Sequence, residues 1–224
     1  MIWSMTAPLG LRERKKQQTR QLLAETARRL FSERGFEQVS VAEIAREADV
    51  SEMTVFNYFP SKEDLVYSGL ETFEEQLLAA IRERPPDQTL IAAFGEFILE
   101  PRGLLTVKDD AAARELIAVT RMIAASPALL AREQQIFARY TDTLAHLIAT
   151  ETGARAGDLR PYVVANALIG VHRALISYVR ERLESGASDR RRLARQVRRR
   201  GENALALLSD GLDDYAPKRQ KGEQ

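Results

Sequence analysis

SVAEIAREADVSEMTVFNYF, residues 40–59, reads as two short helices joined by a turn. Ser40 with Glu43 three places later forms a capping box, and Val39 and Ile44 are spaced to close a hydrophobic staple around it. The first helix buries Ile44, Ala45 and Ala48, Asp49-Val50 makes the turn, and Ser51 caps the second helix, in which Val55 and Phe59 share a face. Pro60 stops it. Buried Ile44, Ala45, Val50, Val55 and Phe59 hold the pair at a fixed angle and leave Glu52, Met53, Thr54, Asn57 and Tyr58 outside. This is the layout of a helix-turn-helix, whose second helix enters the DNA major groove. Asparagine can address an adenine edge with two bonds, and threonine offers a hydroxyl and a methyl. By spacing alone the same pattern fits any helical hairpin.

On the N-terminal side, Leu22, Leu23, Ala27, Leu30 and Phe31 form one apolar stripe that Gly35 ends. Before it, residues 12–20 (RERKKQQTR) set Arg12, Arg14, Lys15, Lys16 and Arg20 against Glu13 alone; five minus one leaves a local +4. By itself such a run is a solvated helix start, and the helix-turn-helix behind it tips the reading toward DNA. On the C-terminal side, Ser61-Lys62-Glu63-Asp64 opens a longer connecting helix to about Arg84, closed by Pro85-Pro86. Helices are expected near 87–99 and 109–125, from Ser126-Pro127 to Thr152, from an Asp158 cap to about Ser185, and from a Ser188 cap to about Leu212. A polar, disordered tail is expected at 213–224. The expectation is nine helices and no strand: an all-α chain with a helix-turn-helix domain at 12–60 and, at 61–212, a connecting helix plus an effector-binding and dimerisation bundle.

Phe31-Ser32-Glu33-Arg34-Gly35-Phe36, then Ser40-Val41-Ala42-Glu43-Ile44-Ala45, Val50-Ser51, Thr54-Val55-Phe56-Asn57-Tyr58-Phe59 and Ser61-Lys62-Glu63-Asp64-Leu65 resemble, in order and spacing, the N-terminal domain of TetR-family regulators. The likeness spans roughly residues 14–66; beyond it only the all-helical layout agrees. It implies a one-component repressor that binds a palindromic operator in double-stranded DNA as a homodimer and is released by a small-molecule effector. Thr54, Phe56, Asn57 and Tyr58 fall on the recognition-helix positions that meet DNA, Ser51 on its N-terminal cap, and Lys62 on the phosphate-contacting lysine. Two positions depart from the pattern. Phe56 stands where tyrosine is usual and lacks its hydroxyl, and Tyr58 stands where histidine is usual and keeps one donor. The resemblance also pairs the last two helices with their mates, with Val164, Leu168, Val171, Leu175 and Val179, and Leu205 and Leu208, as the expected four-helix seam.

The composition, 45% hydrophobic and 29% charged, is that of a globular protein, and the net charge of +1 excludes only a chain coated in positive charge. With no cysteine, no signal peptide at MIWSMTAPLG and no run of about 20 apolar residues, a cytoplasmic protein without a membrane segment is expected. The seven arginines of residues 190–200 are interleaved with Leu193 and Val197 at helical spacing, which reads as the wet side of the last helix. His146 and His172 lie on different helices, so no metal site is expected. No phosphate-loop, nucleophile-elbow or zinc-protease motif occurs, and no cofactor, catalytic residue or enzymatic activity is expected.

An apolar effector needs a cavity with a few placed polar groups. Phe94, Phe97, Leu116, Met122, Ile136, Phe137 and Tyr140 are core residues taken singly, and Arg121, Asn166, His172 and Arg173 are polar groups within apolar helices. From these, Phe97, Arg121, Met122, Phe137, Tyr140, Asn166 and Arg173 are the expected ligand contacts. Two other classes stay open: a helical small-molecule-binding protein or enzyme with a vestigial DNA-binding head, and a scaffold acting through protein contacts.

Overall fold

The computed structural model describes residues 10–186 and 189–212, all helix and connecting loop, in two compact units that meet at Ser68 and Gly69. The tail at 213–224 and Ser188 lie outside the described residues.

The first unit is built on α1 (Leu11–Arg34), which turns Leu23, Ala24, Ala27, Leu30 and Phe31 inward. The stripe is rotated from the expected one: Ala24 is buried and Leu22 is 47% exposed. Gly35 at φ 84° ends the helix, and its N–H returns to the Phe31 carbonyl at 2.8 Å. α2 (Val41–Glu47) opens with the full capping box: Ser40 Oγ accepts from the Glu43 amide at 3.2 Å, and the Glu43 carboxylate accepts from the Ser40 amide at 2.8 Å. These backbone and hydroxyl bonds, with Arg34, hold the Glu43 carboxyl down at about 2. Asp49 takes the left-handed conformation (φ 54°) at the turn, and Val50, half-buried rather than buried, bonds back to Ala45. α3 (Glu52–Tyr58) follows, then α4 (Lys62–Val66), which a second capping box between Ser61 and Asp64 starts. Val39, Ile44, Val55, Phe59 and Leu65 close the core at 2% exposure or less.

The expected connecting helix from 61 to 84 is broken. α4 ends at Val66, Tyr67 is buried in the first unit, and α5 (Leu70–Arg82) begins after Gly69, where a glycine and a serine weaken helix continuation. Among the described residues ten α-helices therefore stand where nine were expected. The second unit continues with α6 (Leu90–Leu99), a 3-10 turn (Gly103–Leu105), α7 (Asp110–Ala125), α8 (Pro127–Thr152), α9 (Arg160–Glu184) and α10 (Arg190–Leu212). Thr89, Asp109 and Ser126 cap α6, α7 and α8 through their side chains. Asp158 sits one residue before the cap position of α9, where Leu159 stands, yet its carboxylate still takes the Arg160 amide at 3.0 Å. Asp189 takes the Arg192 amide at the start of α10.

α8 and α9 pack along their lengths, with α10 against α9 and α6. Where α10 packs on α6 and α9, leucine side chains fill the space above Gly201: a Cβ there would lie 2.2 Å from Leu99 Cδ2 and 3.1 Å from Leu175 Cδ1. Among the ion pairs between elements, Arg84, just past α5, holds Glu151 of α8 at 2.8 Å, and Arg180 of α9 holds Glu133 of α8 through both carboxylate oxygens. By length and mean hydropathy (1.3 over its most apolar 18 residues) α9 could cross a membrane, yet only 28% of that window is buried within the chain.

Candidate DNA-reading face and ligand cavity

α3 is fixed at both ends. At its start Ser51 Oγ accepts the Thr54 amide at 3.0 Å and shares a 2.8 Å hydrogen bond with the Thr54 hydroxyl. At its end Arg20, reaching over from α1, donates to the Tyr58 carbonyl at 2.7 Å and lies 4.4 Å over the Phe59 ring. Between these anchors Val55 turns inward, while Met53 and Phe56 stand out at 70% and 45% exposure. Ser51 and Asn57 are exposed and Thr54 and Tyr58 half-buried. No hydrogen bond to another described residue engages the Asn57 amide. In the same unit, Arg12, Arg14, Lys15 and Lys16 are exposed on the first turns of α1, and the half-buried Lys62 holds its ammonium 4.1 Å over the Phe36 ring. A rigid helix with an apolar and amide outer surface, in a unit carrying cations, has the parts that groove reading requires.

The second unit has an open cavity of about 220 Å³. Aliphatic side chains from the end of α6, the 3-10 turn, α9 and α10 form most of its wall, among them Ile98, Leu104, Leu105, Ile176 and Val197. Phe73 closes one side, and its ring stacks on the His172 imidazole with centroids 5.1 Å apart. The polar lining comes from His172, Arg102 and Glu100. Arg102 lies 4.1 Å over the Phe97 ring, donates to the Phe97 carbonyl and pairs with the Glu100 carboxylate at 2.5 Å. Burial first, and the Arg102 charge second, push the His172 imidazole down to about 4, so it is neutral at ordinary pH. His146 is exposed on α8, and the described residues hold no cluster of three or more groups fit for a metal.

The expected contacts fall elsewhere. Phe97, Phe137 and Tyr140 belong to the aromatic cluster behind Phe73 and His172, not to the cavity lining. Arg121 is exposed and donates to the Leu183 carbonyl at 3.4 Å; Asn166 is exposed and donates to the Tyr162 carbonyl of its own helix. Arg173 is exposed, 5.8 Å over the Phe137 ring, and Met122 is half-buried on α7 outside the lining. His172 did carry a signal: it stands four residues after Leu168 and three before Leu175, on the inward row of α9. Arg102 sits in a loop without periodicity, and nothing in the sequence marked it.

Most of the expected seam lies inside the single chain. Val164, Leu168, Val171, Leu175 and Leu205 are 2%, 0%, 9%, 7% and 8% exposed within one chain, and Val179 and Leu208 are half-buried. Leu175 and Val179 line the cavity. What α9 leaves outside is a different row: Leu159, Tyr162 and Val163 at 74%, 50% and 58%, then exposed Asn166, Gly170, Ala174 and Ser177. On α10, Leu207 is 81% exposed.

Residues 23–67 match the family model for bacterial regulatory proteins of the tetR family, and residues 103–210 match the MftR C-terminal domain, so the likeness extends into the body, beyond the resemblance seen in the sequence. The HTH-type transcriptional regulator TcmR of Streptomyces glaucescens is 33% identical over 163 residues, covering 70% of this chain and 71% of TcmR. The regulator MftR of Mycobacterium tuberculosis is 27% identical over 172 residues, 74% of this chain and 80% of MftR. Among solved structures, Salmonella enterica GusR superposes with a TM-score of 0.51 at 22% identity, covering 92% of this chain and 97% of GusR, which speaks to the fold.

Proposed function

The chain belongs to the TetR family of bacterial transcriptional regulators, and from that premise we propose that it is a cytoplasmic, non-enzymatic repressor that reads a palindromic operator as a homodimer and lets go when a small apolar effector enters its second unit. The observation that carries the reading is the outer face of α3. Met53, Phe56 and Asn57 are exposed on a helix clamped by Ser51 and Arg20, with Thr54 and Tyr58 flanking them. Asn57 addresses a base edge, Thr54 reads beside it, Phe56 and Tyr58 meet sugar, methyl or phosphate groups, and Lys62 neutralises a phosphate.

Two heads need a two-fold partner. The exposed row of α9 supports one: a helix this apolar is left mostly unburied in the single chain, and Gly170, Ala174 and Ser177 allow a second α9 to approach closely. The dimer then presents two copies of α3 about one turn of DNA apart, roughly 34–36 Å. The effector acts through the cavity of the second unit, and shifts the heads only by its differential affinity for the two body conformations. Selection of bound fragments from random DNA tests the whole reading. The expected result is enrichment of an inverted repeat whose binding weakens steeply with salt; recovery of unrelated sequences, or of single half-sites, overturns it.

A further inference from the structure

The cavity in the second unit contains a polar group left without a partner. His172 makes ring contacts with Phe73 and Phe137, but neither of its ring nitrogens has a hydrogen-bond partner among the described residues, and it lines the cavity. A neutral imidazole carries one N–H donor and one acceptor nitrogen, and on this half-buried ring a ligand in the cavity can meet them. Most of the remaining wall is hydrocarbon. The charge balance at the polar end is uneven: Arg102 keeps 33% of its side chain exposed, while the Glu100 carboxylate beside it is 67% exposed and well screened by water. The potential inside the cavity is therefore set by the arginine, which is also why it opposes protonation of His172. The space sets the scale of the ligand part that sits inside it. An apolar protein cavity of roughly 150 Å³ holds one benzene ring, so one of about 220 Å³ holds a ring with a short extension.

Resting on the reading of this unit as the effector-binding body, we propose that the effector is a small apolar acid: a hydrocarbon body of about one ring and a short chain, ending in one anionic oxygen that accepts the His172 N–H and lies against the Arg102 guanidinium. The apolar body replaces water along Ile98, Leu105, Ile176 and Val197, and the acid displaces the exposed Glu100 from Arg102. Leu104 and Leu105 of the 3-10 turn line one side of the cavity from a segment, residues 100–109, in which no side chain is fully buried, so this side can adjust to a ligand without opening the core.

Calorimetric titration of the full chain with 4-propylbenzoate and with its neutral isostere 4-propylbenzamide at pH 7.5 tests this directly. The carboxylate is expected to bind at least tenfold tighter than the amide. His172→Phe, which keeps the stacking, and Arg102→Gln, which removes the charge and keeps a donor, are each expected to cut that preference severalfold, with circular dichroism verifying that both variants remain folded. Equal affinity for the two compounds, absence of binding by both at millimolar concentration, or a preference unchanged in both folded variants overturns the proposal. Operator binding by the same unliganded protein keeps the two claims apart. Specific DNA binding without carboxylate preference overturns the ligand class alone, whereas a chain that binds no inverted repeat overturns the regulator reading whatever the cavity takes.

Discussion

Asn57 and Lys62 sit close together in the chain and ought to fail differently. The Asn57 amide is exposed and bonds to no other described residue, and the end of α3 is closed by the Phe59 amide bonding to Val55, so a helix-capping role for Asn57 has no support. Asn57→Ala is expected to cost roughly 1–3 kcal/mol of operator affinity and relax preference at one base per half-site. A lowered melting temperature with operator preference intact is the contrary result. Lys62→Ala should weaken specific and random DNA alike, reducing the salt slope by about 0.9 per half-site contact; loss confined to the specific complex would show it reading sequence. His172 supplies a pH signature of its own. Its folded value of about 4 lies below the ordinary 6.5, so the unfolded chain binds the extra proton and stability rises with pH. The contribution is whole above 6.5, shrinks as pH falls toward 4, and amounts to about 3 kcal/mol across that window. Denaturant midpoints followed from pH 7 to 4.5 should fall less steeply in His172→Phe; identical slopes would place the imidazole in water. The candidate DNA-reading residues were legible because capping boxes and a tight turn are local chemistry. The cavity residues were not, because α5, the end of α6, α9 and α10 assemble them across the chain, and only the fold determines which side chains face inward.

Helix starts and stops show the same division. Ser40, Ser51, Ser61 and Ser126 cap as their sequence contexts predict, since a cap needs only its next three residues. The continuous helix expected from 61 to 84 failed at Ser68-Gly69, where burial of Tyr67 in the first unit outweighs a helical pattern that spacing alone extends through the break. The glycines of the chain make this testable. Gly69 has a helical conformation (φ −91°, ψ −9°) and nothing within 4 Å of a Cβ, so Gly69→Ala should stabilise by about 0.5–1 kcal/mol by narrowing the unfolded ensemble. Gly201 is the opposite case. A side chain there must push Leu99 aside at the α6–α10 crossing, and Gly201→Val should cost about 1–3 kcal/mol, lowering the melting temperature by several degrees. If both substitutions move the melting temperature the same way, the leucine packing above Gly201 is not what fixes it.

Across the whole molecule, what periodicity could not decide was the direction in which α9 faces. A helix that is apolar nearly all round reads the same from either side, and the row Val164, Leu168, Val171, Leu175 was as good a candidate for a subunit seam as for a core. The chain uses that row internally, so the mutations it suggests would mislead: Leu168→Glu places a charge at a position with 0% exposure and is expected to unfold the second unit rather than release monomers. The exposed row gives a cleaner experiment. At Gly170 an added side chain meets nothing within 4 Å in the protomer, and arginine is about 1 kcal/mol better than glycine in a helix interior, so Gly170→Arg should leave the single chain at least as stable. If two α9 helices meet along Val163, Asn166, Gly170, Ala174 and Ser177, the same change drives a long charged side chain into the closest point of contact. Sedimentation should then give about 50 kDa for the wild type, twice the 25.2 kDa chain, and a folded species of single-chain mass for Gly170→Arg. Operator affinity should fall with it, because a single head loses the second half-site and its tether. A variant that remains a dimer and still binds the inverted repeat would move the seam off this face of α9, and a wild type that sediments as a monomer at micromolar concentration would remove the two-headed mechanism altogether.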